Sequence, residues 1–478
     1  MNPGRRSERR SRRNRRTAFW ITIGLALLAL AWWRVAGRAE PPRHLLLVVF
    51  DTLRADRMSI YGYARKTTPF LESASGELLR FADVKAPAPW TVPTHASIFT
   101  GLWPAQHRAQ WGRMRLAEEF ETLAETLKAN GFCTVALSAN LLVSRSTGLD
   151  QGFDAFELVR GPWPRKSETI LSRLPAAIDD ALEADCRLFL FLNLMDVHIP
   201  YNARPHARKF AAEGPGSVRN ARVKWEISAG SRPFSEEERR LHGAAYDAAV
   251  RYLDDVARDL LALLRERELL DETVVVLTSD HGDGLGAHPE IGHSTSLWEE
   301  QLAVPLLVRL PGGRRGGEVV QGRTTLTALM PSVLDWLRVE RPEHLRQASD
   351  LEQAASEPVF ADYRSYFAEQ NRQTNARTTE RYPELAARVR HSHALFCDRF
   401  KLLMDAAGRR RFFDLQGDPT EQIDLAPHSP PLLDSCLGNY HELLRRGLLT
   451  PFGDGGTEGD RQGSPVDLEA LKSLGYVQ

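Results

Sequence analysis

The stretch His44-Leu-Leu-Leu-Val-Val-Phe50 is a mainly apolar run that stops abruptly at Asp51. A short run rich in leucine and valine predicts a strand that is buried on both faces, as in a parallel sheet covered by helices. Ligands of open α/β sheets bind beyond the carboxyl ends of the strands. Asp51 is therefore expected at the sheet edge where a functional site would form.

The rest of the chain alternates similar apolar runs with helical patterns. Further buried strands are predicted at 133–138, 187–194, 273–278 and 303–309. Amphipathic patterns predict helices at 118–130, 235–270 and 326–337. This alternation predicts an α/β fold with a large, mostly parallel central sheet and helices on both faces. The polar segment 203–233, which contains glycine, proline and serine, is expected to be a surface excursion or lid.

The C-terminal part of the chain has a different pattern. Apolar segments at 400–404 and 411–415 flank a polar turn that contains glycine. Two such segments around a turn predict a hairpin. We therefore expect a small C-terminal antiparallel sheet beside the main one.

The N-terminus predicts a membrane segment. Eight arginines precede residue 17, and residues 18–33 are mostly apolar with tryptophans at both ends. This pattern favours a single-pass anchor at 18–37 with the basic residues 1–17 in the cytoplasm. The alternative is a cleaved signal peptide, which would make the rest of the chain a secreted protein. Either alternative places the body outside the cytoplasm, on the outer or periplasmic side of the membrane.

The composition of the body excludes some function classes. Residues 41–478 contain 52 lysines and arginines against 60 aspartates and glutamates. A net acidic body argues against nucleic-acid binding through a broad basic face. The four cysteines have no CxxC spacing, so they indicate neither a zinc cluster nor a redox motif. Cys133 and Cys186 border apolar runs and are expected to be buried.

Two polar clusters follow predicted strands and a third begins a predicted helix. In Pro89-Trp-Thr-Val-Pro-Thr-His95, a rigid loop brings the hydroxyl of Thr91 to the start of a helix, whose N–H groups and dipole attract an anionic ester. The other clusters are Asp196-Val-His198 and Ser279-Asp-His-Gly-Asp-Gly-Leu-Gly-Ala-His288. The glycines of the last cluster are expected to let a ligand approach the backbone. Its Asp283 is expected to be partly exposed.

Parallel strands would bring the polar residues at their ends to one edge of the sheet. Asp280 and His281 would then lie beside Asp51, with the hydroxyl of Thr91 close to all three. Carboxylate, imidazole and hydroxyl groups form a mixed oxygen and nitrogen site. We expect this site to bind a divalent metal ion, which could be calcium, magnesium, manganese or zinc.

Seven motifs occur in order between residues 44 and 478. They are VFDTLRAD (49–56), YGY (61–63), WTVPTHASIFTGLWP (90–104), TSDHGD (278–283), VPLLVR (304–309), FDLQGDPTEQIDL (413–425) and LGYV (474–477). With these motifs in this order, the chain resembles the sulfatase family of the alkaline phosphatase superfamily, and the resemblance extends over residues 44–478. It implies an alkaline phosphatase-like catalytic domain at 44–394 and a C-terminal subdomain and tail at 395–478.

The resemblance also implies roles for individual residues. Asp51, Asp280 and His281 match the family's metal ligands, with Thr91 as a further ligand and the nucleophile. His198 and His293 match histidines that contact the substrate or lie near the leaving group. A weaker match implies that Asp196 helps to hold a second metal ion. Asn140 follows a predicted strand and is a candidate for substrate contact, although a role in the turn is the favoured alternative. His95 is a further candidate for the second metal site or for substrate binding.

Three positions depart from the family pattern. Sulfatases have two adjacent aspartates where this chain has Asp51-Thr52. Sulfatases also mature a cysteine or serine to formylglycine at the position of Thr91 and have arginine where this chain has His95. Threonine cannot undergo that conversion, so no formylglycine is expected. With one hydroxyl, Thr91 lacks the elimination route by which a hydrated aldehyde expels sulfate, which favours phosphoryl over sulfuryl transfer.

The sequence therefore predicts a metal-dependent hydrolase of anionic esters. The expected substrate is an ester group on a glycan or on a lipid headgroup. Three alternatives stay open. They are a sulfuric ester hydrolase, a transferase of phospho-groups to an envelope glycan or lipid, and a catalytically inactive, membrane-tethered glycan-binding protein.

Overall fold

The computed structural model describes residues 41–159, 166–202, 206–210, 221–365, 380–381, 383–384, 389–428 and 431–452. The expected basic N-terminus (1–17) and membrane segment (18–37) lie outside the described residues. No helix within the described ranges combines the length and the apolar composition that a membrane span requires.

The described residues form two sheets. The main sheet has nine strands, in the order β4-β3-β5-β1-β6-β8-β2-β7 with β9 beside β2. Their bounds are β1 His44–Phe50, β2 Leu79–Lys85, β3 Phe132–Ser138, β4 Ala155–Leu158, β5 Arg187–Leu194, β6 Thr273–Thr278, β7 Ala303–Val304, β8 Leu306–Arg309 and β9 Val319–Thr325. The second sheet contains β10 Val359–Tyr363, β11 Ser392–Cys397, β12 Phe400–Asp405 and β13 Arg410–Asp414.

The parallel part of the main sheet confirms the prediction from the apolar runs. Strand β1 lies between β5 and β6 and is parallel to both. Every residue of β1 and β6 is buried, as a sheet with two covered faces requires. The predicted strand at 303–309 is instead divided at Pro305, and its second part, β8, runs antiparallel to β6. Proline lacks the N–H that a continuous ladder needs.

Helices connect and cover the strands. Their bounds are α1 Pro69–Ser73, α2 Thr91–Thr100, α3 Pro104–His107, α4 Leu123–Ala129, α5 Lys166–Glu183, α6 Ala221–Ala229, α7 Glu236–Glu266, α8 Glu299–Leu302, α9 Leu329–Leu337 and α10 Pro431–Arg445. The long helix α7 begins where predicted, because the Ser235 hydroxyl accepts the N–H of Glu238. Helix α4 begins later than predicted, because Thr122 forms the capping box. The expected lid at 203–233 contains helix α6.

The small sheet is antiparallel throughout, and β12 and β13 form the predicted hairpin. Its first strand, β10, precedes the expected subdomain boundary at residue 395. Helix α10 packs on the sheet through Leu433, Cys436, Tyr440 and Leu443. The two sheets together correspond to the expected α/β fold with a separate antiparallel sheet.

The cysteines form two disulfide bonds, which the sequence did not predict. One joins Cys133 to Cys186 and the other joins Cys397 to Cys436. The expectation that Cys133 and Cys186 are buried is wrong, since both are partly exposed. They lie at the amino ends of β3 and β5, where two neighbouring strands bring them within bonding distance.

Candidate active site

Three buried side chains meet at the carboxyl ends of β1 and β6. Asp51 follows β1, and Asp280 and His281 follow β6 after one intervening serine. Because the two strands are parallel neighbours, residues that are 229 positions apart lie side by side. One ligand atom from each of the three lies within 4.8 Å of the others. We call this group the edge cluster.

The charges of the edge cluster fit a bound cation. Oδ1 of Asp51 and Oδ2 of Asp280 are buried and accept no hydrogen bond from any described residue. Burial, together with the neighbouring carboxylate of Asp280, raises the pKa of Asp51 to about 7. Burial likewise raises the pKa of Asp280 to about 7. Two adjacent buried carboxylates that each leave one oxygen without a donor are costly, and a divalent metal ion would supply the missing positive charge.

Backbone and amide groups hold these carboxylates in place. Oδ1 of Asp280 accepts the N–H of His281 at 2.8 Å and that of Thr52 at 3.2 Å. Nδ2 of Asn140 donates to Oδ2 of Asp51 at 2.6 Å, and Nδ2 of Asn193 lies 3.4 Å from the same oxygen. Asn140 thus supports a cluster residue from the end of β3, and Asn193 does so from β5.

Thr52 stands where the family pattern has a second aspartate. Its φ of 64° is in the left-handed region, which β-branched residues rarely adopt. Its hydroxyl donates to the carbonyl of Val197 at 2.8 Å. The strained residue therefore ties the end of β1 to the turn between Asp196 and His198, and such strain is common at functional sites.

Thr91 is the first residue of helix α2 and is fully buried. Its Oγ1 lies 3.5 Å from Nε2 of His281, so the hydroxyl reaches the edge cluster. Nδ1 of His281 lies 3.0 Å from the carbonyl of Gly282. A donor Nδ1–H there leaves Nε2 as the ligand nitrogen, which faces the hydroxyl. The helix start also directs backbone N–H groups toward an incoming anion.

His95 lies one turn further along helix α2 and is also buried. Its Nδ1 donates to the carbonyl of Thr91 at 2.9 Å, and its Nε2 lies 3.3 Å from Nδ2 of Asn193. Burial lowers the pKa of His95 to about 3, so this histidine is neutral. It contacts Thr91 and Asn193, and because it is neutral it does not supply the positive charge of the family's arginine.

The rings of His198 and His293 lie close to the ring of His281. The His293 ring centroid lies 4.7 Å from that of His281 and 4.8 Å from that of His198. Nδ1 of His293 donates to Oδ1 of Asp283 at 2.8 Å. Burial lowers the pKa values of His198 and His293 well below the usual value for histidine. The structure therefore brings both predicted histidines next to the edge cluster.

Asp283 corrects one expectation from the sequence. It is fully buried rather than partly exposed, because Tyr201 also donates to it, at 2.6 Å. Asp196, in contrast, lies outside the edge cluster. Its carboxylate accepts hydrogen bonds from Ser167 and, at 2.9 Å, from Asn202. Those contacts keep the turn before His198 in shape.

The glycines after His281 serve packing rather than ligand access. A Cβ at Gly282 would lie 2.1 Å from the carbonyl of Glu300, and one at Gly284 would lie 2.7 Å from that of Glu290. The segment therefore folds tightly against its neighbours. His288 stacks on Trp298, with ring centroids 3.7 Å apart, and belongs to the loop.

Lys224 is a site residue that the sequence analysis missed. It lies on helix α6 within the polar segment that was expected to be a lid, and its Nζ donates to the carbonyl of His293 at 3.3 Å. It is buried, which lowers its pKa to about 8. The signal was weak, since only the neighbouring Trp225 and Ile227 indicated an apolar face. A buried ammonium group beside two histidines favours an anionic ligand.

Comparisons with known proteins identify the family of the chain. The family model described as Sulfatase matches residues 43–339. An ulvan-active sulfatase of Formosa agariphila is 23% identical over 414 residues, which cover 81% of this chain and 78% of that protein.

Solved structures share the fold. A phosphonate monoester hydrolase of Agrobacterium radiobacter superposes with a TM-score of 0.66 at 19% identity, covering 85% of this chain and 95% of that one. A second structure, of a protein in complex with its substrate D-glucosamine-2-N,6-O-disulfate, gives a TM-score of 0.65 at 17% identity, covering 85% and 98%. These likenesses establish the architecture in which the edge cluster lies.

Proposed function

This chain belongs to the sulfatase family and is a hydrolase of ester bonds, and on that premise we propose that it transfers a phosphoryl group through Thr91. The observation that carries the proposal is the position of the threonine hydroxyl, 3.5 Å from a nitrogen of the edge cluster and at the start of a helix. Thr91 occupies the sequence position of the family's nucleophile and offers a single hydroxyl in place of the hydrated aldehyde.

The first step is an in-line attack. Asp51, Asp280 and His281 would hold a divalent cation, whose charge would lower the pKa of the hydroxyl and offset the charge of the ester oxygens. Thr91 Oγ1 loses its proton to solvent and forms a bond to phosphorus, while the bond from phosphorus to the leaving alcohol breaks. The N–H groups at the start of helix α2 and the ammonium of Lys224 stabilise the negative charge.

The leaving alcohol takes a proton from His198 or His293. Nδ1 of His293 is committed to Asp283, and Nδ1 of His198 lies 2.8 Å from the carbonyl of Ile199, so proton transfer falls to Nε2 of each ring. An anionic ester between these rings offsets the burial that lowers their pKa values. Water then attacks phosphorus, releases the phosphate and restores the threonine.

The names of similar proteins support anionic esters as the substrate class. They include both sulfatases and phosphonate monoester hydrolases, and one is known with a sulfated sugar as its substrate. We infer a phosphate or phosphonate ester carried by a glycan or lipid headgroup. Phosphorus is favoured over sulfur because Thr91 offers one hydroxyl, so the covalent intermediate has to be released by water.

The test compares three substrates on one preparation. The purified protein is supplied in turn with calcium, magnesium, manganese and zinc and assayed on an aryl sulfate, an aryl phosphate monoester and an aryl phosphodiester. Turnover of a phosphorus ester that disappears in Thr91→Ala and persists in Thr91→Ser supports the proposal. Aryl sulfate turnover that dominates and survives Thr91→Ala overturns it.

A sulfuric ester hydrolase is the second candidate, favoured by the family model and by the ulvan-active relative. It shares the edge cluster but requires water to cleave a sulfated threonine or to attack the ester directly. The same panel distinguishes the two, since this candidate predicts that the aryl sulfate is the best substrate.

We also propose that the protein works outside the cytoplasm, tethered by its N-terminal segment. The support is the pair of disulfide bonds, because such bonds form and persist mainly in oxidising compartments. Fractionation of cells that express a tagged full chain tests this placement. Recovery of the protein from the cytosol with reduced cysteines would contradict it.

A further inference from the structure

The small sheet carries a second group of ligand-forming side chains. Asp362 on β10 and His393 on β11 are direct partners across the antiparallel pair. His391 precedes His393 by two residues, so the two-residue period of a strand turns both rings to the same face. Nε2 of His391 lies 3.2 Å from Oδ1 of Asp362, and Nε2 of His393 lies 3.6 Å from the same oxygen. We call these three residues the small-sheet cluster.

We propose that the small-sheet cluster binds a divalent transition-metal ion, with zinc as the best fit. One ligand atom from each residue lies within 4.8 Å of the others, a spacing that a single ion at about 2 Å from each atom can bridge. Imidazole nitrogens favour zinc and its neighbours, whereas an oxygen-rich set favours magnesium or calcium. Three protein ligands leave a fourth tetrahedral position for water.

Surrounding groups orient the proposed ligands as they do in metal sites. The hydroxyl of Tyr440 lies 3.0 Å from Nδ1 of His393, and a donor Nδ1–H there directs Nε2 toward the ion. Oδ2 of Asp362 accepts the N–H of Thr450 at 3.1 Å and the side-chain N–H of Gln110 at 3.4 Å. The hydroxyl of Thr450 donates to the same oxygen. Oδ1, which faces the two histidines, is thereby available to coordinate the ion.

The nitrogen of His393 that faces the cluster supports an ion there. This ring is fully buried, and its Nε2 makes no hydrogen bond of good geometry with any described residue. The backbone of Thr450 also faces the ring, and Phe452 stacks on it at 4.3 Å. A buried nitrogen that lacks a well-formed hydrogen bond costs free energy, and coordination removes that cost. His391 is 12% exposed and gives the ion a path from solvent.

An ion at this site would stabilise the part of the small sheet that contacts the loops of the active site. Next to Asp362, the hydroxyl of Tyr363 donates to the carbonyl of Ser294 at 2.6 Å, one residue after His293. The backbone N–H of Asp362 donates to the carbonyl of Pro87 at 2.9 Å, shortly before Thr91. An ion held by the small-sheet cluster therefore stabilises strands that contact the loops of the active site.

Cobalt(II) provides the test, because it replaces zinc and a tetrahedral cobalt centre absorbs visible light. The full-length protein is stripped with a chelator, saturated with magnesium and titrated with cobalt(II). We expect one equivalent to produce tetrahedral bands in the wild type and in Asp280→Asn. His391→Ala and His393→Ala should lose these bands, whereas the exposed His441→Ala should keep them.

Two further readouts keep the result independent of activity. In the Asp280→Asn background, zinc should raise the thermal midpoint, and this rise should be lost when His391→Ala is added, with circular dichroism to verify folding. Tyr440→Phe should weaken zinc binding by roughly 10- to 100-fold, the usual effect of removing a group that orients a ligand. The proposal is overturned if His391→Ala and His393→Ala bind zinc as the wild type does. It is also overturned if Asp280→Asn abolishes all transition-metal binding, or if a folded wild type binds none.

Discussion

The edge cluster and the small-sheet cluster each combine three buried or half-buried ligands, but opposite kinds of strand pairing assemble them. Parallel strands bring Asp51 and Asp280 together from 229 residues apart, because both follow strands that end at the same edge. Antiparallel pairing places Asp362 opposite His393 in mid-strand, on one face of a small sheet. The parallel strands thus form a site in the loops that follow them, at the edge of the sheet. The antiparallel register forms a site on the face of a sheet.

The charges differ in the same sense. In the edge cluster, burial raises the pKa values of both carboxylates, those of Asp51 and Asp280, to about 7. Without a bound cation these carboxylates are therefore only partly ionised near neutral pH. In the small-sheet cluster, burial acts to raise the pKa of Asp362, but the neighbouring histidines and Thr450 lower it to about 2. The first cluster needs a cation to keep its charges, whereas the second is already partly compensated. Damage to the first should affect turnover, and damage to the second should affect stability.

The largest expected effect comes from comparing the same substitution in each cluster, at Asp280 and at Asp362. Asp280→Asn keeps an oxygen for the N–H groups of Thr52 and His281 but removes a charge from the proposed ligand set. We expect roughly 10⁴-fold lower kcat/KM, or about 5 kcal/mol, because a bound metal ion contributes several kcal/mol to such reactions. Asp362→Asn should leave kcat near that of the wild type and lower the free energy of unfolding by about 1–3 kcal/mol, since an amide faces the N–H of Thr450.

Steady-state kinetics and urea denaturation measure the two quantities on each variant. The comparison between the clusters fails if Asp362→Asn reduces turnover as strongly as Asp280→Asn does at a temperature where both are folded.

The disulfide bonds offer a second way to separate the regions. The bridges span 53 and 39 residues, so the loss of either should cost about 4 kcal/mol of unfolding free energy in the chain-entropy model. Replacing Cys397 and Cys436 by alanine loosens the end of β11 and should weaken zinc binding at the small-sheet cluster. Replacing Cys133 and Cys186 alters the opposite ends of the parallel strands and should leave zinc binding unchanged.

Isothermal titration of zinc into the two double variants tests this difference. Equal zinc affinities in the two variants would show that the small-sheet cluster does not depend on the bridge beside it.

The smallest expected effect concerns Lys224. Its buried ammonium has a pKa of about 8, so the side chain is charged below that pH and loses its charge as the pH rises. We expect kcat/KM to fall by about tenfold above pH 8, because a charged hydrogen bond to the ester is worth about 1.5–3 kcal/mol. Lys224→Met should abolish this pH dependence, and Lys224→Arg should retain activity to higher pH. A wild-type profile that stays flat through pH 9 would contradict the assigned role.

Much of this arrangement could be predicted from the sequence. Apolar runs that stop at Asp51 and before Asp280 revealed two parallel strands with a common edge, and the loop before helix α2 pointed to Thr91. The resemblance added the roles of Thr91, His198 and His293. Lys224 could not be found this way, because a polar segment gives no sign that one lysine turns inward. The burial of Asp283 was also hidden, since it depends on Tyr201 from a distant turn.

The small-sheet cluster and the disulfide bonds were hidden for a related reason. His391 and His393 lie near an unremarkable strand, and Asp362 becomes their partner through the register of β10 and β11. Cys133 meets Cys186 because β3 and β5 are neighbours, although β4 lies between them in sequence. Pairing between strands is a tertiary property, which local periodicity does not contain.

The central claim is that Thr91 carries the phosphoryl group, and an acid quench tests it most directly. The protein is mixed with a radiolabelled aryl phosphate ester and its best metal, stopped in acid during turnover and digested. We predict label on the peptide that contains Thr91, identified as phosphothreonine by tandem mass spectrometry, and no label in Thr91→Ala. Turnover in Thr91→Ala at the wild-type rate, with no labelled threonine in either protein, would contradict the account.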